Sequence, residues 1–132
     1  MEYILDRLAI GDIDDARNLS PDIGAILNCA AEHDTYREGI FYLKIPLIDF
    51  EPIEEKYIPV ATAWIKEKIT HNSILIHCNA GISRSASIAA CYLYEIGFGF
   101  KEAKALIISK KNDVFIDNSL EYILMNLTTK KV

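Results

Sequence analysis

Cysteine is scarce in this chain. The three that occur, Cys29, Cys78 and Cys91, are an odd number at irregular spacing. That excludes a fully paired disulfide framework, and the Cys-x-x-Cys spacing of a zinc site is missing. Reduced thiols are therefore expected, with no metal and no other cofactor. Positive charge is also short: 14 Lys and Arg stand against 19 Asp and Glu, a formal net charge of −5. General nucleic-acid binders and anionic-membrane binders neutralise phosphates with a basic surface, so neither partner is expected. Any anion site must be local. No segment approaches the roughly 20 uninterrupted apolar residues of a membrane span. The N-terminus, Met1-Glu2-Tyr3-Ile4-Leu5-Asp6, has acidic residues where a secretory signal would be basic, so it reads as the first structural element of a cytoplasmic protein. His33 and His71 have no second ligand at metal spacing and read as surface residues.

What the chain does have is apolar content. Of its 132 residues 51% are hydrophobic and 25% charged, enough for one buried core, so residues 1–132 are expected to form one monomeric domain. Short apolar runs flanked by turn or polar residues, Gly24 to Ala30, Phe41 to Ile48 and Ser73 to His77, read as buried strands. Apolar residues three and four apart predict helices through Tyr57, Ala61, Trp64, Ile65 and Ile69, and through Ile88, Cys91, Tyr92 and Ile96. The second should stop at Gly97, a residue suited to the left-handed position past a helix end. Further helices are expected from Lys101 to Ser109, from about Asn118 with Glu121 as a capping partner, and briefly from Asp12. Strands alternating with helices imply an α/β domain with a central, mostly parallel sheet flanked by helices.

The strand ending at His77 runs through Cys78-Asn79-Ala80-Gly81-Ile82-Ser83 into a helix expected to begin near Arg84 or Ser85. A strand, a tight loop and a helix N-terminus aim backbone N–H groups at one point and make an anion site. Gly81 stands where the loop must turn tightly and approach the anion. Arg84 can close on the anion with a planar fork that Lys does not offer. The positive helix end and the guanidinium both favour a thiolate at Cys78, aimed at the cradled anion. Ser85 is placed to donate to that sulfur, and His77 to orient the loop. Cys29 and Cys91 read as packed hydrophobes, with a resolving thiol for an oxidised Cys78 as the alternative for Cys29.

His77-Cys-x-x-Gly-x-x-Arg84-Ser85 resembles the signature of the protein tyrosine phosphatases, and the full string is most similar to the dual-specificity branch. Five fixed residue types at fixed offsets make a specific motif. Ile26 to Ala30 and Tyr42 to Asp49 resemble that family's second and third strand regions, and the tail after Gly97 also matches. The resemblance implies the cysteine-based phosphatase fold and a phosphocysteine mechanism in which Asn79, Ala80, Gly81, Ile82, Ser83 and Arg84 bind phosphate. It assigns the general acid to Asp49, with Glu51, Glu54 and Glu55 as nearby competitors. Asn118 stands for an Asn-rich, loop-supporting turn. A Trp-Pro-Asp acid loop is absent, since the one tryptophan, Trp64, falls at a helical core position. A shallow pocket is therefore expected, open to phosphoserine and phosphothreonine as well as phosphotyrosine. Phosphorylated proteins or peptides are the implied partners. The alternatives are a phosphoinositide, a nucleotide or an RNA 5′ end under the same chemistry, or a phospho-binding module without turnover. Phe50 and Tyr36 are candidates for the rim.

Overall fold

A two-residue turn at Asp6-Arg7 folds the N-terminal segment back on itself, pairing β1 (Glu2–Leu5) with β2 (Leu8–Gly11) as an antiparallel hairpin. The computed structural model describes residues 1–130. The Arg7 guanidinium reaches the carbonyls of Ile69 and Thr70 at 3.2 and 2.6 Å, placing a cation at the carboxyl end of the helix α2 (Tyr57–Lys68).

With β3 (Ile23–Ala30), β4 (Phe41–Leu47) and β5 (Ser73–His77) the hairpin forms a five-stranded sheet in the order β1-β2-β5-β3-β4. All neighbours except β1 and β2 pair in parallel. The mostly parallel sheet expected from the sequence is thus present, with an antiparallel strand added at one edge. Pro46 sits in β4 at the other edge, where its missing N–H costs no ladder bond.

Side chains alternate across the sheet. Leu8, Ile10, Leu27, Ile74 and Ile76 enter the larger core, while Ala9, Ile26 and Leu75 enter a smaller one shared with Ala16 of α1 (Ile13–Arg17). On the larger face lie α2, α3 (Arg84–Glu95), α4 (Phe100–Lys110) and α5 (Leu120–Lys130). Helix α3 is buried from Arg84 through Leu93, so it packs in the middle of the helical layer. It ends as expected at Gly97, whose φ is +112°. Gly97 N–H donates to the Tyr94 carbonyl and Phe98 N–H to the Leu93 carbonyl, at 3.1 and 3.0 Å, satisfying the helix end in a Schellman motif. The final helix begins at Leu120, two residues later than expected, because the Asp117 carboxylate accepts from Ser119 N–H at 2.8 Å and holds the preceding turn.

Candidate active site

Register brings three strand ends together. Gly11 of β2 and Asn28 of β3 both align with His77 of β5, so the residues that follow meet at the carboxyl end of the parallel strands, where open α/β sheets bind ligands. The loop from Cys78 to Ser83 rises from this point. Its outer side is anchored by the backbone: Cys78 N–H donates to the Gly11 carbonyl, Ile13 N–H to the Asn79 carbonyl and Phe115 N–H to the Ile82 carbonyl, at 3.4, 3.0 and 2.9 Å. The N–H groups of residues 79–83 make no hydrogen bond among the described residues. Ser83, at the N-cap of α3, makes no side-chain cap, so the first amides of the helix are also open. A row of unsatisfied donors at a helix N-terminus is an anion cradle.

Gly81 is required twice over. Its φ is +72°, and a Cβ there would lie 2.8 Å from the carbonyl carbon and oxygen of Gly11.

Cys78 lies at the bottom, 3% exposed, with Ser85 Oγ 3.3 Å from its Sγ. His77 is buried, and burial pushes its pKa down, which keeps the ring neutral. A carbonyl can only accept, so Nδ1–H donates to Cys78 O at 3.1 Å, and the Thr35 hydroxyl donates to Nε2 at 2.7 Å. Both ring nitrogens are thereby used in holding the strand end.

Arg84 is the most constrained side chain of the site. Its Nη1 and Nη2 donate to the two carboxylate oxygens of Glu32 at 2.6 and 2.7 Å, and Nη1 also donates to the Leu47 carbonyl at 3.0 Å. A guanidinium has five N–H donors in a fixed plane. Three are taken here, and the two that remain, on Nε and Nη2, share one edge of the plane. Nε is buried without a hydrogen-bond partner, a state that costs free energy unless a ligand satisfies it. The open edge has two parallel donors, a geometry that can take two oxygens of an anion. The donors left open lie on the side edge of Arg84, since the end of the fork belongs to Glu32. That bond holds the Glu32 carboxyl at about 2 and raises the pKa of Arg84.

Asp49 Oδ1 lies 3.8 Å from Arg84 Nε, and Asp49 lines the cavity above Cys78. Of its competitors, Glu51 lines the same cavity, while Glu54 is exposed and paired with Lys56 at 3.2 Å. The cavity measures about 590 Å³. Cys78, Ala80, Ile82, Ser83 and Arg84 form its floor and near wall; Phe50, Ile53, Phe115, Leu120 and Ile123 line the rest.

Asn118 does not join this group. It is exposed, its Oδ1 accepts from Lys104 Nζ at 2.8 Å, and the contact between this turn and the loop is the backbone bond from Phe115 to Ile82. The loop-supporting role expected of Asn118 is thus corrected to Phe115 N–H, which needs no particular side chain. Tyr36 also lies elsewhere, edge-on to Tyr42 with 5.9 Å between ring centroids, whereas Phe50 stands at the mouth. Cys29 and Cys91 are fully buried, and burial pushes the Cys29 thiol well up and the Cys91 thiol to about 12. Sequence reasoning missed Glu32, Thr35 and His33. The last donates from Nε2 to Asn79 Oδ1 at 2.8 Å, so it is a loop contact and not a bare surface residue. One signal could have found this cluster: Asn28, a polar residue inside an otherwise apolar strand, whose amide donates to the His33 carbonyl and the Tyr42 hydroxyl.

An anion loop at the carboxyl end of a parallel sheet, with a thiol below and a carboxyl above, defines the phosphatase class of α/β domains. Within that class the chain belongs to the dual specificity phosphatases: the family model of their catalytic domain matches residues 12–130. Mouse dual specificity protein phosphatase 22 is 32% identical over 111 residues, covering 78% of this chain and 60% of that protein. Mouse dual specificity protein phosphatase 2 is 37% identical over 81 residues, covering 55% and 24%. The chain thus spans from about a quarter to three fifths of the length of these curated relatives. Among solved structures, human DUSP28 superimposes with a TM-score of 0.86 over the whole of both chains at 16% identity. The human tyrosine phosphatase-like serine/threonine/tyrosine-interacting protein gives 0.84 over 99% of this chain and 97% of that one, at 22% identity. Among the described residues no helix is long and apolar enough to cross a membrane.

Proposed function

We propose that the chain is a protein phosphatase acting on phosphotyrosine, and also on phosphoserine and phosphothreonine, through a phosphocysteine on Cys78. The observation that carries this reading is the open edge of Arg84 beside the unsatisfied loop amides, with Cys78 beneath them and Asp49 above. The phosphate oxygens take the amides and the Arg84 edge, leaving phosphorus facing Sγ. An S–P bond forms as the ester P–O bond breaks, and the departing oxygen takes a proton from the Asp49 carboxyl. Water then gives a proton back to Asp49 and attacks phosphorus. The S–P bond breaks, inorganic phosphate leaves, and the Ser85 hydroxyl donates to the returning thiolate. No step requires a metal. Initial rates on phosphotyrosine and phosphothreonine peptides and on inositol phosphates, all in a chelator, test the assignment. Turnover of both peptide types supports it; turnover of inositol phosphates alone, or loss of all activity in chelator, contradicts it.

Glu32 acts through Arg84 and is a positioning residue. Glu32→Gln keeps the shape and loses the charge that fixes the guanidinium. It is expected to lower kcat/KM by about 10- to 100-fold, the scale of a misplaced binding group, and to weaken inhibition by inorganic phosphate in parallel. Because the Glu32 carboxyl titrates at about 2 against an ordinary 4.5, the pair's contribution to stability is complete above pH 4.5. It is lost as pH falls through about 2. The wild-type to variant ratio should therefore be the same at pH 5 and pH 7; a ratio that collapses at pH 5 would contradict an ionised Glu32.

A further inference from the structure

The charges around the cavity are one-sided. Glu51 and Asp117 line it beside the acid Asp49, and Arg84, the one cation among the lining residues, already holds Glu32 in a two-point ion pair. Hydrogen bonds from Ser119 hold the Asp117 carboxyl below the usual range, so it is charged at neutral pH. Lys104 bonds to Asn118 next to Asp117 but does not line the cavity. One phosphate is well served, by amides, a helix terminus and the guanidinium edge. A second phosphate, or a carboxylate beside the first, would meet carboxylates and no second cation among the lining residues.

The wall between these charges is apolar and exposed. Phe50 is 100% exposed and has a φ of +64°. A non-glycine residue in that region is strained, and such strain gathers at functional sites. Phe115 and Ile82 extend the apolar surface along the mouth. An apolar strip edged with carboxylates complements a chain that carries cations on long aliphatic stems, which cover apolar surface and stack on rings.

Resting on the phosphatase reading above, we propose that this mouth is a specificity surface for phosphopeptide segments with Lys or Arg beside the phosphorylated residue, and that it rejects polyanionic phosphoesters. Glu51 and Asp117 set the charge preference; Phe50 and Phe115 take the aliphatic stems.

The test uses two phosphotyrosine peptides of one length, with Lys or with Glu on both sides of the phosphoresidue, and an inositol bisphosphate as the polyanion. The expected order of kcat/KM is Lys-flanked, Glu-flanked, inositol bisphosphate, with about 5- to 10-fold between the peptides at low salt, the size expected of a few exposed charge contacts. The ratio should shrink toward one in 0.5 M NaCl, where such charges are screened, and in the Glu51→Gln/Asp117→Asn double variant. Equal or reversed peptide rates at low salt, or a ratio unchanged in the double variant, overturn the proposal. So does faster turnover of the inositol bisphosphate. Binding of the same peptides to Cys78→Ser, followed by fluorescence anisotropy, separates the two readings. A Lys preference in binding with no wild-type turnover of any substrate upholds the surface and overturns the catalytic reading; turnover without a preference in rate or binding does the reverse.

Discussion

Cys78→Ser is expected to lower kcat for p-nitrophenyl phosphate and for phosphopeptides by about 10⁴-fold or more, the scale on which a covalent nucleophile's removal is felt. The oxygen that replaces Sγ is a far poorer nucleophile when it stays protonated, and nothing near it takes its proton. Ser85 Oγ, 3.3 Å away, is itself a hydroxyl, and His77 spends both ring nitrogens on Cys78 O and Thr35. The cradle does not depend on the sulfur. Its amides and the Arg84 edge remain, so the variant should still bind phosphopeptides with affinity near the wild-type KM. Steady-state rates and equilibrium binding on one preparation check both halves. Residual activity within 100-fold of wild type would place the nucleophile elsewhere.

The second large effect is expected at Asp49. Asp49→Asn keeps the size of the side chain and removes its proton transfer, at a cost of about 10²- to 10⁴-fold in kcat on phosphothreonine and phosphoserine peptides. Their alkoxide leaving groups are strong bases and need the proton. With p-nitrophenyl phosphate, whose leaving group is a weak base, the first step should be nearly spared, and the loss should fall on hydrolysis of the intermediate. The leaving-group dependence is what marks an acid. A uniform loss across substrates in kcat/KM, which reports the first step alone, would make Asp49 a mere neighbour of Arg84, 3.8 Å from its Nε. Glu54→Gln should leave both rates unchanged, since that carboxylate is exposed and paired with Lys56. If the leaving-group pattern appears instead in Glu51→Gln, the acid is Glu51.

Local signals make much of this molecule legible from its residues alone. The string from His77 to Ser85 carries its geometry in its residue types: a glycine where φ is positive and the backbone is crowded, and an arginine at the first turn of a helix. Apolar runs and helical spacing located three of the five strands and the order of the helices. The N-terminal hairpin was less legible because two four-residue strands joined by Asp6-Arg7 show neither a period nor a glycine turn. Glu32 was invisible for a different reason. It is 52 residues from Arg84 in the chain, and only the parallel register of β3 with β5 brings the two together. Thr35 and His33 reach His77 and Asn79 the same way. The contact between the Asn118 turn and the loop is not legible either, because it runs through backbone, and a backbone contact leaves no residue type to find.

Covalent attachment of phosphate to Cys78 is the central claim, and one measurement reaches it directly. Asp49→Asn protein is mixed with excess p-nitrophenyl phosphate, quenched in acid within the first turnover, and analysed by intact mass and then by peptide mass. One added phosphoryl group per chain is expected, on the peptide containing Cys78, and none in Cys78→Ser. Nitrophenolate release with no phosphoryl group on the protein, or with the group on any other residue, would contradict it.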